Sequence, residues 1–240
     1  AFNNTPFWNE QTEEFVIVGD GILIKYNGTD TNVVIPEGVK RVGCAFDNRS
    51  DILSFEFPKS LKYISPDSFF GCLGITELVI PDSVIKIDDE AFDGMCNLER
   101  LTVPFIGESR NVTTGTQHSL IAFWFRDNYK CEICNNKECI RRSQSFQTKY
   151  TRTFYQPKNF KSLTVTDSVI RSKCLTGIYM PNVTIGANVT GIEKYGLYKA
   201  KISNIYIDPL CNIEELPDYA FAENKIQQIT LPTGIKKLGA

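Results

Sequence analysis

Residues 74–92 read GITELVIPDSVIKIDDEAF. Ile75, Leu78 and Ile80 open the stretch, and the last two are two residues apart, the period of a strand with one buried face. Pro81 follows, removes a backbone donor and ends the strand. A second short extended run, Val84 to Ile87, leads to a small residue and an aromatic one, Ala91-Phe92. The same wording returns without gaps in residues 51–70, DILSFEFPKSLKYISPDSFF, and 97–104, NLERLTVP, and again in 225–240, KIQQITLPTGIKKLGA. Prolines 36, 58, 81 and 104 step by 22, 23 and 23, and Phe46, Phe69 and Phe92 by 23 and 23.

Later copies are degenerate but keep register. Residues 192–207 and 216–231 repeat each apolar position after 24 residues. MPNVTIGANVTGI, residues 180–192, fits with Gly186 in the proline slot, and LTVTDSV from Leu163 fits with Thr166 there. One such coil cannot bury its own apolar face, but stacked coils cover one another. The expected fold is therefore a leucine-rich-repeat solenoid, β-rich, with a parallel sheet on its concave face and few or no long helices. Two columns should run through it: Phe55, Leu78, Leu101, Val183, Ile205 and Ile229; and Phe46, Phe69, Phe92, Leu175, Leu197 and Phe221. Each buried phenylalanine would contribute roughly 1.5–3 kcal/mol.

The run I-P-x-S-V-x-x-I-x-x-x-A-F, as in IPDSVIKIDDEAF, resembles the BspA-type leucine-rich repeat. The resemblance takes in roughly residues 30–104 and 160–240. The family occurs in surface proteins of gut and oral bacteria and of some parasitic protists, so the resemblance implies a cell-surface or secreted location and an adhesion-type role. FVIVGDGILIKYNGTDTNVVIP resembles a hairpin inserted in bacterial members, at about residues 12–30, and its apolar alternation around Gly19-Asp20-Gly21 is a hairpin signal in itself. The chain reads as one solenoid fragment, residues 1–240, expected to be truncated at both ends because no cap is visible.

A second insertion falls at about residues 105–160, with repeats resuming over 161–240. Val103 and Val165 are equivalent strand ends 62 residues apart, against about 23 for a plain coil. LIAFWF, residues 120–125, is expected to be a strand packed on the solenoid. RRSQSFQTKYTRTFY, residues 141–155, is expected to be a second strand of a hairpin. Its Arg141, Arg142, Lys149 and Arg152, with Tyr150, Phe154 and Tyr155, form a basic aromatic stripe of the kind that holds nucleic acid or glycan. A solvated hairpin edge is the expectation preferred here.

Eight cysteines are too few for a disulfide scaffold. Cys131-x2-Cys134-x4-Cys139 offers three thiolates, but the only histidine, His118, is thirteen residues upstream and no second cysteine pair follows. The expectation is a disulfide within the cluster Cys131, Cys134 and Cys139, with no metal and no cofactor. Cys44, Cys72, Cys96 and Cys174 fall near the Ala-Phe corners, where buried thiols suit the packing; a Cys72–Cys96 bridge is the alternative. Sequons occur at Asn3, Asn27, Asn48, Asn111, Asn182 and Asn188.

A single histidine restricts nucleophilic triads, and no phosphate loop or dinucleotide fingerprint is present. Asp88-Asp89-Glu90 is expected to be a group of solvated acids in a turn. No catalytic residue is expected. Net charge is −2, so no global field favours nucleic acid, and no apolar run is long enough to span a bilayer.

The remaining candidate is the outer face of the long strands. One row should read Ser54, Glu77, Arg100, Asn182, Asn204 and Gln228. The other should read Glu56, Val79, Thr102, Thr184, Tyr206 and Thr230, extended by Thr164. Glu77 and Arg100 should be ladder neighbours, worth about 0.2–1 kcal/mol. The expected partner is a macromolecule, a protein ahead of a glycan, with no nucleic acid. The competing expectations are a spacer within a longer surface protein and a metal-binding or nucleic-acid-binding module borne by the insertion.

Overall fold

Leu78 and Ile80 point inward and Glu77 and Val79 outward, and this alternation makes the strand Glu77–Val79, buried at its centre and exposed at both flanks. Its parallel neighbour is Arg100–Val103, paired Glu77 to Arg100, Leu78 to Leu101 and Val79 to Thr102. The ladder runs on through Ser162–Ile170, Asn182–Ile192 and Asn204–Ile207. Upstream, Asn32–Val34 and Ser54–Glu56 pair in the same sense. In the computed structural model, which describes residues 5–125, 133–134, 137–147 and 150–240, the chain is a β-solenoid of about nine stacked turns.

The V-x-x-I runs form a second ladder, with Arg41–Val42, Tyr63–Ile64 and Lys86–Ile87 all parallel. The expected hairpin caps one edge of it. Phe15–Val18 pairs antiparallel with Ile22–Tyr26, and Ile22 and Leu23 pair with Arg41 and Val42. Helix among the described residues is limited to one short turn, Pro6–Glu10, and two 3-10 turns.

The phenylalanine column is present. Phe46 and Phe69 stack with centroids 6.2 Å apart, Phe69 and Phe92 follow at 6.1 Å, and all three are fully buried. Leu175 and Leu197 are fully buried in the same run of corners, and Phe221 is half-buried. The corners also impose a backbone demand. Asp67, Glu90, Lys173, Tyr195 and Tyr219 each stand two residues before a column residue, with φ between 54° and 64°. Gly71, Gly94 and Gly177 stand two residues after one, with φ between 71° and 83°, where a glycine carries no Cβ penalty.

Two expectations for the second insertion are corrected. Residues 120–125 do not form a strand. Ile121–Trp124 is a 3-10 turn, wholly buried, that supplies the missing corner of a coil. The Phe92 amide donates to the Trp124 carbonyl at 3.0 Å and the Ile121 amide donates to the Cys174 carbonyl at 3.1 Å, joining the corners below and above. A segment covered on both sides needs apolar residues throughout, and that composition mimics a strand. The hairpin is made by the later residues alone: Cys139–Gln147 pairs antiparallel with Tyr150–Pro157. Val103 and Val165, 62 residues apart, are direct ladder partners, so the excursion leaves the ladder and returns to it without displacing a strand.

Candidate functional site

The outward positions of the long strands share one surface because parallel pairing keeps equivalent residues side by side. Arg100 reaches back to Glu77 at 2.9 Å, as their ladder neighbourhood predicts. Asn204 donates to Asn182 at 2.9 Å, and the Ser54 hydroxyl donates to Asn32 at 2.7 Å. In the other row Val79, Thr102, Thr164, Thr184 and Tyr206 stand successively opposite one another. Val79 is 51% exposed and Tyr206 56%. The face is polar and nearly neutral, with Glu99 bridging Arg100 and Lys161 at its edge.

The rows contain residues that the sequence reading passed over. Asn32 and Val34 begin them, opposite Ser54 and Glu56, and Ser162 stands between Arg100 and Asn182. The signal for Asn32 and Val34 was available, since VVI precedes Pro36 as LVI precedes Pro81. Gln228 and Thr230 are exposed but lie outside any strand; an open groove separates them from Asn204 and Tyr206. A second groove, of roughly 560 Å³, opens on another side between Thr190–Lys194 and Asn212–Glu215.

The basic aromatic stripe is divided. Arg152 is buried, with its guanidinium 2.6 Å from the Asp89 carboxylate and donating to the Phe125 carbonyl at 3.2 Å. Phe154 and Tyr155 are also buried. Arg141 and Tyr150 are exposed, and Lys149 lies outside the described residues. Asp88 and Asp89 are engaged in the fold rather than merely solvated: Asp88 meets Lys86 at 2.8 Å and Arg41 at 3.6 Å, and Asp89 holds Arg152. His118 Nδ1 lies 3.0 Å from Glu108.

Glutamines fasten the hairpin. The fully buried Gln144 accepts from the Ala122 amide at 2.8 Å and donates to the Cys174 carbonyl at 3.0 Å. Gln156 makes the same two-way connection to the Tyr179 backbone, at 2.6 and 3.1 Å. Each side-chain amide thus substitutes for a strand where the ladder of corners would otherwise carry orphan groups.

The cysteines separate into two kinds. The Cys72 thiol donates to the Phe46 carbonyl at 3.3 Å and the Cys174 thiol to the Gly196 carbonyl at 3.4 Å. Burial pushes the Cys72 thiol up to about 12 and raises Cys174 as well. Cys96 is not bridged to Cys72. Its sulfur, with those of Cys134 and Cys139, forms a group in which all lie within 4.8 Å of one another. Cys131 lies outside the described residues.

A family model described as BspA type leucine rich repeat region matches residues 25–119 and 147–240, in six copies. No curated protein shows a significant match. Solved structures similar to the chain include a leucine-rich repeat protein from Eubacterium ventriosum, at 16% identity and TM-score 0.42 over 92% of this chain and 45% of that one. A leucine rich cell surface protein from Faecalibacterium prausnitzii matches at 15% identity and TM-score 0.34, over 93% and 82%. The leucine rich repeat protein of T. pallidum matches at 14% identity and TM-score 0.38, over 94% and 82%. The chain thus spans less than half the length of the first of these.

Proposed function

We propose that this chain, which belongs to the BspA-type leucine-rich repeat family, presents the outer face of its long-strand ladder to a macromolecular partner at a cell surface or in the extracellular space. The observation that carries the reading is the row Val79, Thr102, Thr164, Thr184 and Tyr206, held side by side on a continuous parallel ladder with apolar groups left in solvent at both ends. Arrays of this kind bind through extended surfaces because each repeat adds one more row of side chains. The partner is a protein in preference to a glycan, since the row carries one aromatic platform, Tyr206, rather than several. No catalytic role is assigned to the chain. No helix among the described residues is long and apolar enough to cross a membrane.

A specific observation favours a second reading, that of a spacer. Arg100 with Glu77, Asn204 with Asn182, and Lys161 with Glu99 satisfy one another within the face, which leaves few polar groups seeking a partner. The test measures saturable binding of the labelled chain to cells or protein-coated surfaces, with competition by unlabelled chain. The adhesion-type reading expects at least a tenfold loss of affinity in the triple variant Val79→Ser, Arg100→Ala, Tyr206→Ser. No saturable binding would favour the spacer, and saturable binding untouched by the triple variant would move the site off this face.

A further inference from the structure

Cys96, Cys134 and Cys139 come from three places. Cys96 follows Met95 at a corner of the solenoid, Cys134 belongs to the stretch leading into the hairpin, and Cys139 is the first residue of the hairpin strand Cys139–Gln147. Their sulfurs nevertheless form a triangle with every side at or below 4.8 Å. Cys96 and Cys139 are buried together with Tyr155, and Leu73 and Ile133 pack against them. Gly94 explains how the insertion comes so close. A Cβ there would stand 3.0 Å from Ile133 and 2.8 Å from the Gly71 nitrogen.

We infer that Cys96, Cys134 and Cys139 form a thiolate site for a structural zinc ion, which fastens the inserted segment to the solenoid. A tetrahedral centre with Zn–S bonds of about 2.3 Å places its sulfurs about 3.8 Å apart, within the limit that all three pairs satisfy. A disulfide joins two sulfurs at about 2 Å and leaves a third without a role, whereas this arrangement brings three together. A closed structural site takes four ligands. The sequence carries a further thiol, Cys131, three residues before Cys134. Cys72 and Cys174 contrast with the group, because each has a carbonyl as partner. Each thiol that coordinates releases its proton to solvent, so binding weakens as pH falls. The inference is independent of the proposed binding face.

The test is elemental analysis of the full chain, purified under reducing conditions without chelator, together with cobalt substitution. One zinc per chain is expected, released by a mercurial reagent. Cobalt should give the sulfur-to-metal charge-transfer absorption and intense visible bands of a tetrahedral thiolate site. Cys96→Ser should lower bound zinc at least tenfold, while Cys44→Ser, at an exposed corner, should keep it. Should Cys96→Ser not fold, the cobalt spectrum of the unaltered chain decides alone. The inference fails if the reduced chain binds neither metal, if Cys96→Ser folds and retains its zinc, or if cobalt binds without sulfur charge transfer.

Discussion

Trp124 stands on Phe92, the ring centroids 5.4 Å apart and the planes inclined at 62°. A residue from the insertion thereby continues the column begun by Phe46, Phe69 and Phe92. Its indole nitrogen also donates to the Gly107 carbonyl at 2.9 Å. Trp124→Ala should cost about 3–5 kcal/mol through lost burial and a residual cavity. Trp124→Phe should cost less, close to the value of the lost hydrogen bond and the smaller ring. Urea unfolding of the two variants checks the order, and a loss under about 1 kcal/mol for the alanine variant would remove Trp124 from the column.

Gln144 gives a separable prediction. Gln144→Leu keeps the volume and leaves the Ala122 amide buried without its partner, while the Cys174 carbonyl keeps only the Ile121 amide. A loss of about 1–3 kcal/mol is expected, chiefly from the one amide left unsatisfied. Hydrogen exchange locates the effect: the Ala122 amide should lose protection before those of the strand Glu77–Val79. Equal loss at both would mean that the hairpin and the long ladder unfold as one unit.

Acid should loosen the contact around Glu193. Burial pushes its carboxyl up, but bonds accepted from Thr114, the Ser172 amide and Arg171 outweigh burial and hold it below its ordinary value. A carboxyl depressed in the folded state stabilises fully above its unfolded pKa of about 4.3 and loses that contribution as pH falls through the folded value. The melting temperature should therefore drop below about pH 4, and Glu193→Gln should flatten that part of the profile while lowering the plateau. An unchanged acid limb in the variant would assign the pH dependence to other carboxylates.

Thiol chemistry distinguishes the corners. Cys72 and Cys174 are buried and their thiols raised, so both should resist alkylation of the native chain at pH 8. Cys44 is exposed and should react first, although burial of part of its surface and the carboxylates of Asp67 and Asp47 raise it too. Mass spectrometry of timed alkylation gives the order. Early labelling at Cys72 would show that its corner opens on the timescale of the reaction.

Much of the solenoid was legible because its physics is local and repeated. Alternation marked the long strands, proline marked their ends, and the 23-residue step placed Glu77 beside Arg100 without any coordinates. The insertion was less legible for three physical reasons. Residues 120–125 carry the composition of a strand because they are covered on every side, and composition does not say by what. Arg152 appears exposed within an alternating run, yet Asp89, 63 positions earlier, draws it inward. Cys96 looked like one more corner thiol, and only the return of the chain at Cys134 and Cys139 gives it neighbours. The left-handed backbone at Glu90 and Lys173 was equally hidden, since neither residue type announces it.

The direct pairing of Val103 with Val165 has a kinetic consequence. Closing a 62-residue loop costs about 0.9 kcal/mol more chain entropy than closing one of 23. The coils on either side of that junction close only short loops, and in a linear array such blocks nucleate separately. The junction is therefore expected to close after its neighbours during folding, so amides of the Arg100–Val103 and Ser162–Ile170 pairing should gain protection last when refolding is followed by pulsed hydrogen exchange.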